Sequence, residues 1–258
     1  MDELIVTRQA HIALVELNRP ERRNALNPPL MKKLTAAFLE LSDDSDVKVV
    51  VLTGRGGAFC SGGDIRAADD VSSLDKPTLS KKDKSFAASV HWLRSRMEAA
   101  RILHLMPKPT IAMIGGAAAG AGLSLAGACD LRIASDKAVF VSAFANVGGS
   151  GDYGGSYFWT QILGTAKARE LYFLSEKMSA AQALQFGLVN RVVADDALLS
   201  ETMGIAEKLA NRPGEANAYI KANLNAAQNG SLESLFDLEA TNMTLSVAAA
   251  KAAFGTTR

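Results

Sequence analysis

Histidine and cysteine are scarce in this chain, three and two among 258 residues. None of them is grouped at metal-ligand spacing, so no metal site is expected, and two cysteines do not make a disulfide framework. Cys60 and Cys129 read as reduced, structural thiols. His11 falls in a turn, and His91 and His104 lie on one helix at a separation that does not let them face each other. Net charge is also nearly absent: 28 basic side chains against 27 acidic leave a formal +1. A balance of that kind gives no general attraction to nucleic acid or to an anionic membrane, so any basic site must be local. Long hydrophobic runs are missing too. The most apolar stretch, Gly115 to Ala128, is too short and too rich in glycine to span a bilayer, and no apolar segment follows a basic start. The expectation is a soluble, cytoplasmic protein.

Glycine, by contrast, is plentiful at 21 residues, and it is clustered. A short apolar strand, Thr110 to Ile114, runs into Gly115-Gly-Ala-Ala-Ala-Gly120-Ala-Gly122 and then into an Ala- and Leu-rich helix start. Nothing there is bulky. A ligand can approach the backbone, and the unpaired N–H groups of the first helical turn can donate to an oxygen on it. Phosphate-binding alternatives fail on spacing. A P-loop needs Lys and Ser/Thr after Gly120, where Ala121 and Gly122 stand, and a dinucleotide fingerprint needs a third glycine that Leu123 to Leu125 do not supply. A nucleophile elbow at Ser124 or Ser150 lacks its second glycine.

The same device occurs earlier. Val47 to Thr53 reads as a strand buried on both faces, and it delivers Gly54-Arg-Gly-Gly-Ala-Phe-Cys-Ser61-Gly-Gly-Asp64-Ile65. Two such loops on neighbouring strands could aim two main-chain donors at one oxygen, as in an oxyanion hole. Asp64 falls where a helix N-cap would sit.

Elsewhere, Leu4 to Arg8 and Ile12 to Leu17 suggest an opening hairpin, and a polar loop with three arginines leads to Pro28-Pro29 and a helix with its apolar stripe on Leu30, Leu34, Ala37, Phe38 and Leu41. Asp69 to Lys84 lacks periodicity and reads as a flap or insertion. Val90 to Leu105 reads as one helix stopped by Met106-Pro-Lys-Pro109. Leu131 to Ala134 and Ala138 to Val141 are strand-like. A loop from Phe144 to Ser156 then carries Asp152, the one carboxylate between Asp136 and Glu170, which serves either as a turn residue or as a base whose pKa burial raises. Helices follow at 157–163, 166–174, 179–186, 197–211, 215–229 and 232–254. The switch to nearly pure helix divides the chain at about residue 195, into 1–195 and 196–258.

Leu17-Asn-Arg-Pro-Glu-Arg-Arg-Asn-Ala-Leu26, Val49 to Gly54, Ala58-Phe-Cys-Ser-Gly-Gly-Asp64, Lys108 to Ala112, the Gly115 to Asp130 stretch and Ala183 to Val189 together resemble the crotonase, or enoyl-CoA hydratase/isomerase, superfamily. The resemblance implies an α/β fold, a crotonase-like spiral of ββα units with a helical C-terminal region used to form a homotrimer or a hexamer of two trimers. It implies an acyl-CoA thioester substrate, with CoA arriving as part of the substrate and no other cofactor. It assigns the oxyanion donors to the N–H groups of Gly63 and Ala121. It puts Arg22 and Arg23 near the CoA phosphates, and Ala25, Ser61, Gly62, Asp64 and Ile65 around the nucleotide and pantetheine arm.

Where hydratases of the family carry two glutamates, this chain has Ser124 and Phe144, which the resemblance places beside the substrate. Neither moves a proton usefully, whereas splitting water across a double bond needs paired acid and base. Asp152 instead resembles the aspartate of an enoyl-CoA isomerase subgroup. The dehalogenases that share this aspartate also use a histidine, and Met97 stands there. One base suffices to shift a double bond, so the expected activity is an enoyl-CoA isomerase with Asp152 as acid/base. The alternatives are a hydratase for an unusual acyl group and a non-catalytic acyl-CoA binding protein.

Overall fold

The computed structural model describes residues 2–64, 84–212 and 215–255. Ile65, and the expected flap from Asp69 on except for its last residue Lys84, lie outside the described residues. The chain opens with β1 (Leu4–Gln9) and β2 (Ile12–Leu17), paired antiparallel as the hairpin pattern predicts. Helix α1 (Pro28–Asp43) follows. Asn27 caps it by accepting from the Leu30 N–H at 2.9 Å, and two prolines occupy its first turn, where their missing N–H groups cost nothing. Its buried face is Leu30, Met31, Leu34, Phe38 and Leu41, the expected stripe with Met31 added and Ala37 only partly covered.

From here the chain repeats one step. It lays a long strand in one sheet, turns within a few residues, and lays a short strand in a second sheet before a helix returns it. The long strands are β3 (Val49–Gly54), β5 (Thr110–Ile114) and β7 (Leu131–Ser135), and their short followers are β4 (Ala58–Cys60), β6 (Ala117–Ala119) and β8 (Val139–Val141). The intervening helices are α2 (Lys84–Arg96), α3 (Glu98–Leu105), α4 (Ala121–Ala128) and α5 (Gly155–Leu174). After them come β9 (Met178–Ser179), α6 (Ala180–Gln185) and β10 (Arg191–Val193). The first sheet has the order β1-β2-β3-β5-β7-β10, parallel beyond β2, and the second the order β4-β6-β8-β9.

Burial on both faces explains the unbroken apolar run of β3. Val50 and Leu52 enter the main core with Phe38, Phe59 and Leu103. Val49 and Val51 face the opposite way and pack with Ile111, Met113 and Ile133 against Leu198, Ala206 and Ala210 of α7 (Leu198–Ala210). A parallel sheet sandwiched in this way needs apolar residues on both sides of each strand. Helix α7, the first element after residue 195, therefore covers the second face of the sheet. Helix α8 (Ala216–Ala227) is fastened by Lys221, whose buried Nζ meets Asp130 Oδ2 at 2.8 Å and the carbonyls of Leu103 and Lys108 at 2.9 and 3.1 Å. Helix α9 (Leu232–Gly255) packs on α8, and together they expose Ile220, Leu224, Phe236 and Met243.

Two expectations are corrected. The helix expected over 90–105 is two helices broken at Met97, whose N–H is shared between the carbonyls of Leu93 and Arg94. The break has a packing cause: α3 buries Ala99, Ala100, Ile102 and Leu103, while the residues of α2 between His91 and Ser95 are largely exposed, so only α3 must follow the core. The helix expected from Tyr157 begins at Gly155, and Gly164 at φ 73° separates its two halves where the sequence pattern also changes. Ser179 caps α6 through a reciprocal capping box with Gln182, as expected. Among the described residues no helix is long and apolar enough to cross a membrane.

Candidate active site

The two glycine loops converge. Gly62 has φ +94° and Gly120 φ +51°, conformations open to glycine and costly for other residues. Their backbones are in contact: a Cβ on Gly62 would lie 3.4 Å from the Ala121 nitrogen, and a Cβ on Gly120 would lie 3.8 Å from Gly62 Cα. Among the described residues each loop leaves one main-chain donor without an acceptor. Leu26 and Gly63 form a parallel bridge whose bonds run from the Leu26 N–H to Gly62 O and from the Asp64 N–H to Leu26 O, so the Gly63 N–H points to the other side. Ala121 is the first residue of α4, where an N–H has no intrahelical acceptor.

A buried scaffold holds the first loop in place. Arg19 is 8% exposed, and its guanidinium donates to Asp64 Oδ2 at 2.9 Å and to the Ala25 carbonyl at 2.5 Å, with Glu3 at 3.1 Å. Asn24, fully buried in a left-handed conformation, accepts from the Arg19 N–H and donates to the carbonyls of Arg55 and Ala58. Asp64 is thus committed to Arg19, and the helix it was expected to cap lies outside the described residues. Arg22 and Arg23 are exposed. Ser61 bonds to both of their carbonyls, and an open groove of about 500 Å³ runs between Arg22, Arg23, Ala25, Ser61, Gly63 and Asp64. Six residues singled out from the sequence therefore border one groove, and two of them supply guanidinium groups suited to phosphate.

Asp152 is half-buried in the turn before α5, and its Oδ1 is fully covered without a hydrogen-bond partner among the described residues. Burial alone raises its pKa from 3.8 to about 6. The turn that carries it packs against α4 and the second half of α5: a Cβ built on Gly155 would lie 2.3 Å from Ser124 Oγ and from Tyr172 Oη. Ser124 is completely buried on α4, one turn past Ala121, and Phe144 stacks against the Tyr172 ring with 6.0 Å between centroids. Neither carries a charge. Beside Asp152, Tyr153 and Gly154 border an apolar cavity of about 390 Å³ walled by Met97, Ala100, Tyr157 and Phe158. Burial also pushes both cysteine thiols up to about 12, so they stay protonated. Among the described residues no cluster of His, Cys, Asp and Glu could hold a metal ion.

The arrangement brings the two glycine loops together at Gly62 and Ala121, sets a turn with a carboxylate of raised pKa against α4, and borders the first loop with a groove edged by arginine. Arg19, Asn24 and Tyr172 escaped the sequence reading. Arg19 sits in the three-arginine loop and could have been separated from its neighbours only by the need for a buried partner to Asp64. Tyr172 carries no local signal, because only the break at Gly164 folds its half of α5 back against the turn that carries Asp152.

The profile of the enoyl-CoA hydratase/isomerase family matches residues 7–258. Among solved structures, a Mycobacterium abscessus protein described as a probable enoyl-CoA hydratase/isomerase is 33% identical, with 95% of this chain and 90% of that one aligned and a TM-score of 0.82. An enoyl-CoA hydratase subunit from Geobacillus kaustophilus is 30% identical over 100% and 96% of the two chains, with a TM-score of 0.84. A Thermobifida fusca protein described as an enoyl-CoA hydratase and solved with CoA is 30% identical over 95% and 93%, with a TM-score of 0.84.

Proposed function

The chain belongs to the enoyl-CoA hydratase/isomerase family, and we propose that within it this protein is an isomerase that shifts a double bond in an enoyl-CoA thioester, with Asp152 as its sole acid/base. The observation that carries the reading is a carboxylate of raised pKa, its Oδ1 covered and without a hydrogen-bond partner among the described residues, near two glycine loops that meet, with Ser124 and Phe144 where a hydratase needs carboxylates. In this mechanism the thioester carbonyl accepts from the Gly63 and Ala121 N–H groups. Asp152 takes a proton from one end of the allylic system, and the negative charge that develops on the oxygen is held by those two donors. The same proton, now on the carboxyl group, returns to the other end. A pKa near 6 suits a group that must both accept and give.

CoA is part of the substrate in this reading, its phosphates on Arg22 and Arg23 and its arm along the Ala25 and Ser61 to Gly63 groove. A Thermobifida fusca relative solved with acetoacetyl-CoA supports that class of ligand. No other cofactor and no metal enter the reaction. Assembly into a trimer, alone or doubled into a hexamer, would cover the apolar residues exposed on α8 and α9, and the site of action is the cytoplasm. The test is to offer 2-enoyl- and 3-enoyl-CoA thioesters to the wild type and to Asp152→Asn. Conversion at unchanged mass, lost in the variant, is the expected result. An active Asp152→Asn refutes the mechanism, a product heavier by one water assigns hydration instead, and tight binding without turnover assigns a binding protein.

A further inference from the structure

Gly63 has no side chain to pack, and a Cβ added there would meet nothing within 4 Å, so its N–H is aimed only by the peptide plane it belongs to. That plane is the last of a series. The guanidinium Nη1 of Arg19 donates to the Ala25 carbonyl at 2.5 Å. The N–H of the same peptide unit, on Leu26, donates to the Gly62 carbonyl at 2.7 Å. The N–H of the Gly62 peptide unit is that of Gly63. Among the described residues every peptide bond is trans, so within each unit the carbonyl and the N–H point in opposite directions. A buried cation, two peptide dipoles and the open Gly63 donor therefore stand head to tail, each polarising the next. The same guanidinium also holds the residue after Gly63: Nη2 donates to Asp64 Oδ2 at 2.9 Å, and the Asp64 N–H donates to Leu26 O at 3.0 Å. Nε, at the third corner of the fork, lies 3.1 Å from Glu3 Oε1.

We infer that Arg19 is a positioning residue for the oxyanion donor at Gly63, heading a relay of two peptide groups that both aims the Gly63 N–H and strengthens it. The inference rests on the reading of Gly63 and Ala121 as donors to a thioester carbonyl, and it is independent of which group is the acid/base. A buried ion pair recovers in attraction little more than its desolvation costs, so Arg19 and Asp64 add little to stability by meeting. What the pair supplies is geometry: one planar fork ties the peptide before Leu26 to the residue after Gly63, and an ammonium cannot serve both points from one plane. As negative charge develops on the thioester oxygen, the positive charge at the head of the relay favours it through two hydrogen bonds that are already in place. Arg22 and Arg23, exposed at the rim of the groove, take no part in the relay.

The test is the isotope-edited infrared difference spectrum of the thioester carbonyl of bound butyryl-CoA, a saturated ligand with no double bond to shift. It is recorded for the wild type, for Arg19→Lys, and for Arg19→Gln combined with Asp64→Asn, which removes both charges together and leaves no buried ion unpaired. Circular dichroism checks folding, and free CoA, which has no thioester carbonyl, serves as a competitive inhibitor. In the wild type the carbonyl band should lie below its position in water, because the donors polarise the bond. In both variants that downshift should shrink by about half or more and kcat for a 3-enoyl-CoA should fall about tenfold or more, with the inhibition constant of free CoA within about threefold. A downshift that stays whole in whichever variant folds overturns the role of Arg19. Loss of free-CoA binding in step with the downshift means that the substitution collapses the whole loop, and overturns it as well. A wild-type band that does not move on binding removes the oxyanion reading itself, whereas a full wild-type downshift kept in the variants removes only the relay.

Discussion

Replacing Asp152 by Asn should destroy activity and stabilise the protein at neutral pH, and the second effect can be worked out from burial. The carboxyl group has a pKa of about 6 in the folded chain against 3.8 for the ordinary group. The native state therefore binds this proton more tightly than the unfolded state does. Below the unfolded value both states are protonated and no penalty exists. As pH rises through 3.8 toward 6 the unfolded chain ionises first, and stability is lost until the folded carboxyl also ionises. At about 1.36 kcal/mol per pKa unit the full penalty is about 3 kcal/mol above pH 6. The amide in the Asp152→Asn variant never ionises, so the variant's urea-unfolding free energy should gain on the wild type as pH rises, by about 2 kcal/mol between about pH 4.5 and pH 8 at one protein concentration. Every other titrating group is common to both proteins and cancels in the difference. Any constant offset from packing the amide cancels as well. Two stability curves that run parallel across this range would refute the claim that the acid is held in a desolvated site.

The wild-type kcat/KM for a 3-enoyl-CoA should fall as pH drops through about 6, because the base must start ionised; an activity flat down to pH 5 in a stopped-flow assay would exclude Asp152 as that base. Gly62→Ala forces a Cβ at φ +94° to within 3.0 Å of the Ala119 carbonyl and 3.4 Å of the Ala121 nitrogen, so kcat/KM should fall by about a hundredfold or more through displaced donors. Arg22→Ala with Arg23→Ala should raise KM about tenfold, weaken its salt dependence and leave kcat nearly unchanged, measured by steady-state kinetics over a range of ionic strength. Lys221→Met removes the buried ammonium that serves Asp130 and two carbonyls, and should cost about 3 kcal/mol in urea unfolding, since two carbonyls lose their donor and the partly buried Asp130 loses its counter-ion.

What the chain order determined by itself is local and periodic. Val49 to Leu52 had to be a strand covered on both faces, because no alternation marks an exposed side. The stripe from Leu30 to Leu41 had to be a helix with one buried face. The glycine clusters after Val49 to Thr53 and after Thr110 to Ile114 had to be tight loops, and it was the family resemblance that pointed to the N–H groups of Gly63 and Ala121. The motifs placed the chain in its family, and the comparisons agree. Tertiary structure alone decided which residues meet. Arg19 and Arg23 are the same residue type four positions apart, yet one is sealed against Asp64 and the other borders an open groove, a difference set by contacts 45 residues distant. The Val90 to Leu105 pattern suits one continuous helix, and only the direction of the core breaks it at Met97. Asp152 acquires its raised pKa from burial, which the sequence around it does not fix. Backbone geometry and periodicity are properties of neighbours in sequence, whereas burial, and the pKa that burial shifts, exist only once distant segments have excluded water.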